Sequence, residues 1–381
     1  MQIIFFLSLI LLFYVYAGYP LAIYILSINK SRPVDKDETF TPFVTIITAA
    51  YNEESGIEKT IQNKLELDYP HDRLEIIIVS DESTDNTDAI VKKFDSKGVL
   101  LIRQKPRAGK TSALNLAVPL AKGEIIVFSD ANSIYDPDVV KKLIRNFKDP
   151  DVGYVTGKMI YTNPDGSTIG DGCSTYMKYE NMLRKFETAV GSVVGVDGGV
   201  DAIRKDLYRP LNPDQLPDFV QPLKVVEQGF RVVYEPDAIL KEPALKEASD
   251  EYRMRVRVSL RALWALSDMR HLLANSSNRL FSFQLWSHKV LRYLCFIFLI
   301  TAFISNALLL SVPGLFYKIF FIIQISAYIG AFLSPVIENK GYQSKLLYLC
   351  RYFALLNIAS AHAFMKFVMR QKQVVWTPRK G

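Results

Sequence analysis

Acidic and amide side chains follow two short apolar runs that predict buried strands. Asp81 comes directly after residues 74–80, and Asp130 and Asn132 follow residues 124–129 with one alanine between them. Sheets of parallel strands bind ligands at the carboxyl ends of the strands. Carboxylate and amide oxygens suit Mg²⁺ or Mn²⁺ and leave positions open for diphosphate oxygens. We therefore predict a metal site at Asp130 and Asn132 in preference to an Asx turn, and Asp81 as a contact to a base or ribose.

Lys110 lies at the start of a predicted helix and is a candidate for binding a diphosphate. The sequence Gly109-Lys110-Thr111 resembles the end of a phosphate-binding loop, but Gln104 occupies the place of the first glycine of that loop. A P-loop ATPase is therefore excluded. A lysine beside a helix N-terminus still attracts a diphosphate through its charge and the helix dipole. The alternative, a solvated surface lysine, stays open.

Three acidic residues further along the chain have both a functional and a structural interpretation. Asp218 is an isolated acid among apolar neighbours, so it is either a site residue or a helix N-cap. Glu180 lies at helical spacing with Tyr176, which predicts either a site residue or a buried ion-pair partner. Asp197 belongs to the glycine-rich segment 191–199, where a polar substrate can approach the backbone.

The elements expected to position these side chains are short β-branched strands that alternate with helices. The predicted strands are residues 43–48, 74–80, 99–103 and 124–129. This alternation predicts an α/β fold with a mostly parallel sheet and helices on both faces.

The N-terminal segment is apolar and long enough to cross a bilayer. Residues 1–28 have the length of a transmembrane helix, and they lack the basic first region and the cleavage pattern of a signal peptide. Lys30, Arg32 and Lys36 follow directly. By the positive-inside rule they place the α/β domain, residues 41–245, in the cytoplasm.

A basic helix and further membrane segments follow the α/β domain. Arg253, Arg257 and Arg261 lie four residues apart in the stretch 251–273, which predicts an amphipathic helix on a membrane surface. Apolar stretches then make up the membrane segments 290–369, followed by a basic tail at 370–381; the stretches are residues 290–312, 315–337 and 346–369.

The basic tail sets a condition on how many of these stretches cross the membrane. If all three crossed, the tail would lie outside, against the positive-inside rule. The most polar of them is 346–369, which contains Arg351, Asn357 and His362. We therefore expect this stretch not to cross fully.

Composition excludes two other classes of function. The formal net charge is +7, but the soluble middle of the sequence has no compact run of lysine and arginine interleaved with aromatic residues, so we expect no nucleic-acid partner. Cys173, Cys295 and Cys350 lie far apart. They predict neither a disulfide framework nor a zinc site.

In their order along the chain, these motifs resemble the membrane-bound polysaccharide-synthase branch of the family 2 glycosyltransferases, over roughly residues 43–264. The resemblance implies a GT-A, Rossmann-like domain flanked by transmembrane helices. The matching stretches are residues 44–53 with Tyr51 and Glu53, residues 80–85, the segment from Lys110 to Asn115, the Asp130-Ala131-Asn132 motif, and Asp218.

The resemblance assigns a role to each matching position. It implies that Asp81 contacts the nucleobase, that Lys110 contacts the diphosphate and that Asp130 binds both metal and diphosphate. Asp218 matches the catalytic base. Tyr51 and Glu53 are further candidates for binding the nucleotide sugar, and candidates for contact with acceptor or diphosphate are Glu180, Asp197, Arg257 and Trp264.

Three features depart from the pattern of the family. Pro217 precedes Asp218, where the family often shows a second acid. Asn132 replaces an aspartate, which removes one anionic metal ligand. The Gln-x-x-Arg-Trp motif of the synthases is absent, and residues 254–258 stand in its place. Arg257 is the candidate for the arginine role, with Trp264 one to two turns later.

The function implied by the resemblance is an inverting sugar transfer from a nucleotide-diphosphate sugar, expected to be a UDP-sugar, with Mg²⁺ or Mn²⁺. The acceptor is a glycan or a lipid-linked sugar, in polysaccharide synthesis at the cell membrane, and accessory subunits are left open. Three alternatives also stay open. A nucleotide-sugar-binding regulator would lack a catalytic base, which Asp218 argues against. A polyprenyl-phosphate sugar transferase would share the fold, and a non-catalytic membrane transporter would leave the large α/β domain without a role.

Overall fold

A computed structural model of the chain describes residues 1–162, 172–243, 248–274, 278–339 and 344–373. The chain divides into two compact units. The helical unit comprises Met1–Leu26, Ile169–Glu180 and Leu245–Gln371, and the α/β unit comprises Ser27–Thr168, Asn181–Ala244 and Lys372–Gly381.

The helices and strands take the following bounds in chain order. The helices are α1 Gln2–Phe13, α2 Tyr19–Asn29, α3 Ile57–Leu65, α4 Thr87–Lys92, α5 Lys110–Ala117, α6 Val139–Ile144, α7 Gly172–Val190, α8 Pro217–Glu227, α9 Ala248–Asp268, α10 Arg279–Leu285, α11 Leu291–Tyr293, α12 Cys295–Leu308, α13 Phe316–Asn339 and α14 Lys345–Val368. The strands are β1 Val44–Ala50, β2 Leu74–Asp81, β3 Val99–Gln104, β4 Ile125–Asp130, β5 Ile134–Tyr135, β6 Val152–Thr162, β7 Asp201–Arg204 and β8 Arg231–Pro243.

The α/β unit is built on one eight-stranded sheet in the order β3-β2-β1-β4-β7-β6-β8-β5. The four strands predicted from the sequence are confirmed as β1 to β4, and they pair in parallel. The other half of the sheet is mixed. There β7 runs antiparallel to both β4 and β6, and β5 runs antiparallel to β8.

The register of the parallel strands brings their polar ends together. Ala49 on β1 pairs with Asp130 on β4, and Asp81 on β2 pairs with Gln104 on β3. β-branched side chains buried on both faces of these strands explain why a sheet forms here. The carboxyl edge of the sheet is therefore where polar groups from separate parts of the sequence meet.

Two apolar clusters of described residues hold the sheet to its helices. In the larger one, Val139 and Leu143 on α6 pack with Val127 and Val155 of the sheet. The second cluster packs α3 and α4 against β1 to β3; its members include Ile57, Ile61, Ile76, Ile78 and Val91. Burial of this kind contributes about 1.5–3 kcal/mol for each large aliphatic side chain, so these contacts fix the frame that carries the edge.

Among the residues that the structure describes, two helices are long and apolar enough to cross a membrane. They are Gln2–Asn29, with a mean hydropathy of 2.0, and Phe316–Ile337, with 1.9. They match the expected segments 1–28 and 315–337. The expected segment 290–312 is broken, because Arg279–Tyr293 and Cys295–Leu308 meet at an angle of 56° and count as one span only if taken together. Helix α14 is not among these candidates.

Helix α9 corresponds to the amphipathic helix expected at 251–273, but it ends at Asp268 and a 3-10 turn follows. Its apolar residues Val256 and Leu260 pack against Ala359 and Ala363 of α14. The three arginines of the expected basic face are not all exposed, because Arg261 is buried. The apolar side of α9 is therefore covered by protein, and its position on a membrane surface stays a prediction.

A buried carboxylate ties β8 to the turn that follows α6 and to the segment before β1. Glu235 has no exposed side-chain area and accepts hydrogen bonds from Lys36 at 2.7 Å and from Arg145 at 2.9 Å. Asn146 donates a further bond at 3.0 Å. Burial alone would raise the pKa of Glu235, but the bonds from Arg145, Lys36 and Asn146 outweigh it and hold the pKa below its usual range.

We predict that Glu235→Gln lowers the free energy of unfolding of the α/β unit by about 3 kcal/mol at neutral pH, because it leaves Arg145 without its buried anionic partner. The measurement is denaturant unfolding of the purified chain. A carboxyl with a lowered folded-state pKa stabilises the fold above its unfolded pKa of about 4.3, so the difference should shrink as the pH falls below that value.

The matched control is Glu38→Gln. Glu38 pairs with the same arginine at 2.6 Å, but its side chain is 68% exposed. That substitution should cost less than about 1 kcal/mol. Equal losses for the two variants would contradict the assignment of the stabilisation to burial.

Candidate active site

Three charged side chains that are distant in sequence meet at the carboxyl edge of the sheet. The Lys110 ammonium donates to Asp130 Oδ1 at 2.6 Å and lies 3.4 Å from Asp218 Oδ1. Asp130 ends β4, Lys110 begins α5, and Asp218 lies in the first turn of α8. The structure thus brings together the predicted diphosphate, metal and base residues.

The charge on this lysine is secured by its partners. Burial alone would lower the pKa of Lys110, but the carboxylates of Asp130 and Asp218 together outweigh it and raise the pKa. The two carboxylates keep access to solvent, with 32% of the Asp130 side chain and 24% of the Asp218 side chain exposed. A fixed cation between two partly open carboxylates suits the binding of a phosphorylated ligand.

The segment Gly198-Gly199 leaves room beside both carboxylates. A Cβ at position 198 would lie 2.5 Å from Asp218 Oδ2, and one at position 199 would lie 3.2 Å from Asp130 Oδ2. Gly199 also has a φ of +83°, which side chains rarely adopt. Because the two glycines have no side chains, space remains next to the carboxylate oxygens that would bind a metal and a substrate.

Asp218 is not the N-cap of α8. Helix α8 begins with Pro217, and its N-cap is Leu216, which makes no side-chain capping bond. Asp218 lies one residue inside the helix, where a negative charge is favoured by the helix dipole. Its carboxylate points to Lys110 and Gly198 and does not cap the helix.

Asp201 is a further carboxyl at the site and was not predicted from the sequence. It is 1% exposed at the start of β7 and is hydrogen-bonded to the Tyr154 hydroxyl, while its Oδ1 has no hydrogen-bond partner among the described residues. Burial and the nearby charge of Asp218 raise its pKa well above the usual range, against the opposing effects of Tyr154 and Lys110. An acid inside the apolar run from Val200 to Ile203 was the available signal.

Asp81 organises the loop that leads to Lys110. Its Oδ1 accepts hydrogen bonds from the Gln104 side chain and from the Ala108 amide, and its Oδ2 accepts one from the Gly109 amide at 3.0 Å. Asp81 itself is fully buried. The carboxylate therefore fixes the backbone just before α5, and its predicted contact with a nucleobase stays a prediction.

A stacked pair beside Asp81 forms a surface for a planar group. The Arg107 guanidinium lies 3.4 Å from the centre of the Tyr51 ring, and its Nε is 3.7 Å from Asp81 Oδ2. Tyr51 was predicted from the sequence as a site residue, whereas Arg107 was not. Asn52, in the loop after β1, and Glu82, directly after β2, have positive φ values of 53° and 58°. Such strained backbone is typical of functional sites.

Glu53 holds the strand ends by its backbone. Its amide donates to the Thr87 hydroxyl at 2.8 Å, which joins the loop after β1 to the start of α4. The predicted roles of Tyr51 and Glu53 in binding a nucleotide sugar stay predictions.

The predicted metal ligands form a sparse set of donors. Asp130 and the partly exposed Asn132 lie at the open edge, and the described residues contain no group of three or more His, Cys, Asp or Glu placed to hold a metal. Mg²⁺ is commonly held by one or two carboxylates together with substrate phosphates. The space beside Asp130 Oδ2, which a Cβ at Gly199 would narrow, fits a cation shared with a bound diphosphate.

Two predicted site acids are engaged in buried ion pairs. Both carboxylate oxygens of Asp197 accept bonds from Arg184, at 2.5 and 2.7 Å. Glu180 in the helical unit pairs with Arg292 and lies 3.3 Å from His288. For Glu180 the structure supports the ion-pair interpretation. A contact of either acid with the acceptor stays a prediction, against which these pairings argue.

Arg257 and Trp264 also belong to the helical unit, on α9. The Trp264 indole donates to the Gln371 carbonyl at 2.8 Å and packs edge-on against Phe367, with 4.7 Å between ring centres. Arg257 is partly exposed on the same helix. Their predicted contact with acceptor or diphosphate stays a prediction.

We predict that Asp201→Asn stabilises the fold at about pH 8. A carboxyl whose folded-state pKa is raised keeps its proton in the folded chain while the unfolded chain releases it above about pH 4, so stability falls as the pH rises through this range. Asparagine is neutral throughout and keeps a polar group near Tyr154. The advantage of the variant over wild type should shrink as the pH is lowered towards about 4.

The measurement is the melting temperature of the purified chain across this pH range, with Asp206→Asn as the control. Asp206 is an exposed acid close to Asp201 in sequence. Its substitution should leave the pH dependence unchanged. A variant at Asp201 that is less stable than wild type at every pH would mean that Asp201 is ionised in the folded chain.

Comparison with known proteins identifies relatives of this domain. Residues 45–209 match the sequence model of the family described as Glycosyl transferase family 2. A poly-beta-1,6-N-acetyl-D-glucosamine synthase from Staphylococcus aureus is 28% identical over 237 residues, which cover 61% of this chain and 57% of that protein. A beta-monoglucosyldiacylglycerol synthase from Nostoc is 32% identical over 168 residues, or 43% of this chain and 36% of that protein. The chain therefore matches only 57% and 36% of the length of these two relatives.

A solved structure supports the fold across nearly the whole chain. A mannosyltransferase from Pyrobaculum calidifontis, in complex with GDP-Man and Mn²⁺, superposes with a TM-score of 0.71 over 96% of this chain and 99% of its own, at 23% sequence identity. This likeness and the mixed eight-stranded sheet confirm the expected GT-A, Rossmann-like fold. The match of residues 45–209 to the model of glycosyl transferase family 2 agrees with the resemblance that the motifs of the sequence indicated.

Proposed function

We propose that this chain is an inverting glycosyltransferase that moves a sugar from a nucleotide-diphosphate sugar to a glycan or lipid-linked acceptor. The observation that carries the proposal is the convergence of Lys110, Asp130 and Asp218 at the carboxyl edge of a family 2 domain. These groups supply a cation for a diphosphate, an oxygen donor for a metal, and a base for a hydroxyl.

Asp218 is the proposed base. The acceptor hydroxyl attacks the anomeric carbon from the face opposite the diphosphate, and the new C–O bond forms as the bond to the phosphate oxygen breaks. The hydroxyl proton passes to the carboxylate of Asp218, and the nucleoside diphosphate leaves with the bonding electron pair. One base is enough, because an anionic diphosphate needs no protonation to depart.

Lys110 is the proposed ligand of the diphosphate. Its ammonium already lies between two carboxylates, and an arriving diphosphate offers it a more highly charged partner at the same edge. The loop before it is held by Asp81, so the lysine is positioned in advance. A preorganised cation stabilises the negative charge that develops on the leaving group.

Asp130, with Asn132 as second oxygen donor, is the proposed holder of Mg²⁺ or Mn²⁺. When bound, the cation would supply further positive charge for the departing diphosphate. The Mn²⁺ and GDP-Man in the structure of the Pyrobaculum mannosyltransferase support a metal and a nucleotide sugar for this fold. Tyr51 and Arg107 form the proposed surface for the nucleobase of the donor. We expect this donor to be a UDP-sugar.

The proposed setting is polysaccharide synthesis at the cell membrane, with several spans and a cytoplasmic catalytic domain. The names of the staphylococcal and Nostoc relatives, a polysaccharide synthase and a glycolipid synthase, support a glycan or a lipid as the acceptor. The apolar stretches Gln2–Asn29 and Phe316–Ile337 support insertion into a bilayer. Accessory subunits are compatible with this setting.

The alternative function is a polyprenyl-phosphate sugar transferase. A phosphate acceptor is already an anion and needs no strong base, so that enzyme would not depend on Asp218 in the same way. A non-catalytic transporter is disfavoured because it would leave the family 2 domain and its convergent charges without a role.

We predict that Asp218→Asn lowers turnover by about 10²-fold or more, because it removes the base while keeping the size of the side chain. Affinity for the nucleotide should change little, since other residues hold it. The measurement is transfer from a radiolabelled nucleotide sugar by membranes containing the chain, with nucleotide affinity determined on the same purified variant.

Glu227→Gln is the matched control, because Glu227 lies on the same helix and forms a partly exposed i,i+3 ion pair with Lys224. It should leave turnover near the wild-type rate. Near-normal turnover of Asp218→Asn would remove Asp218 as the base, and a polyprenyl-phosphate product in that case would favour the alternative function.

A further inference from the structure

The backbone that follows Asp130 is held by side chains of a single helix. Thr60 Oγ1 of α3 donates to the carbonyl of Ala131 at 2.6 Å, and Lys64 Nζ donates to the carbonyl of Ser133 at 2.8 Å. Asn63 Nδ2 donates to the carbonyl of Tyr135 at 2.9 Å, and Asn63 Oδ1 accepts from the Tyr135 amide at 2.8 Å. Every second carbonyl from residue 131 to residue 135 is therefore bound by α3.

Position on the helix explains how three side chains reach one segment. Thr60 is three residues before Asn63 and four before Lys64, so all of them project from one face of α3. We call this set the α3 brace. The same helix is anchored by Ile57 and Ile61 in the apolar cluster beneath the sheet, so the brace is attached to a rigid part of the fold.

Lys64 is the unusual member of the brace. Lysine is almost never fully buried, yet this side chain has no exposed area, and its ammonium lies 3.3 Å from the centre of the Tyr135 ring. Burial lowers the pKa of Lys64 well below its usual range, against the opposing charges of Glu242 and Asp130. An apolar chain of similar length would fill this space without the desolvation cost, so packing alone does not account for a lysine here.

The braced segment also touches the other parts of the site. The Tyr135 hydroxyl lies 2.6 Å from the carbonyl oxygen of Gly199, the glycine that leaves space beside Asp130. The Ser133 hydroxyl bonds to Glu242 at 3.1 Å. A shift of residues 131–135 would therefore displace Asn132 and disturb the lining of the space beside Asp130.

We propose that Thr60, Asn63 and Lys64 are positioning residues that hold Asp130 and Asn132 in the geometry required for a divalent cation shared with the diphosphate. This inference rests on the proposed function of Asp130. Supporting groups behind metal ligands typically change metal affinity by about 10- to 100-fold when removed. The brace compensates in this way for the missing second carboxylate of the motif, because Asn132 contributes only a neutral oxygen.

The experiment is calorimetric titration of Mn²⁺ into the purified full chain in the presence of UDP or GDP, whichever binds the wild type. Lys64→Met keeps the length and bulk of the side chain and removes the bond to Ser133. We expect the Mn²⁺ affinity to fall by about 10- to 100-fold. Nucleotide binding without metal should be unchanged, which separates this effect from a general loss of structure.

Lys59→Met is the matched control, because Lys59 is an exposed lysine on the same helix. It should bind Mn²⁺ like the wild type. Thr60→Val is a second test that removes only the hydroxyl bond to Ala131, and it decides the outcome if Lys64→Met fails to fold. Its expected effect is a smaller loss of Mn²⁺ affinity in the same direction.

Asp130→Ala distinguishes failure of this inference from failure of the proposed function. If the wild type shows no Mn²⁺-dependent nucleotide binding, or Asp130→Ala retains it, the proposed metal role of Asp130 fails. If Asp130→Ala loses this binding while Thr60→Val and any folded Lys64→Met keep wild-type Mn²⁺ affinity, the positioning role of the α3 brace is overturned.

Discussion

The candidate site depends on the two ion pairs of Lys110, whose ammonium lies between the carboxylates of Asp130 and Asp218. Two carboxylates this close to one another repel unless a cation lies between them. The lysine satisfies both, and in doing so it fixes the end of β4 relative to the start of α8. The same ammonium is available to a diphosphate, so the contact that stabilises the unliganded chain also prepares the site for the proposed donor.

The surrounding structure limits how much negative charge this arrangement must carry. Asp201 lies close by, but burial raises its pKa, and this reduces the negative charge that it adds beside Asp218. Gly198 and Gly199 keep carbon atoms away from the carboxylates, which leaves that space for polar ligands. The loop held by Asp81 and the segment held by α3 then fix the charged groups from two sides.

Sequence alone predicted the parts of the site that depend on local pattern. β1 to β4 are short apolar runs, and because their ends are polar, Asp81 and Asp130 were placed at the correct edge. Long-range pairing was not accessible. The antiparallel strand β7 brings Asp201 into the site, and the stacking of Arg107 on Tyr51 joins two loops. Arg184 forms a buried ion pair with Asp197. Each of these contacts joins residues whose proximity no spacing in the sequence reveals.

The most direct measurement of the central claim is the turnover of Gly198→Ala compared with Gly191→Ala. A Cβ at residue 198 would lie 2.5 Å from Asp218 Oδ2, whereas one at residue 191 would meet nothing within 4 Å. If the carboxylate of Asp218 must stay beside Lys110, Gly198→Ala should lose about 10-fold or more in turnover with nucleotide affinity kept, and Gly191→Ala should match the wild type. Equal turnover in the two variants would contradict the assignment of the chemistry to this carboxylate.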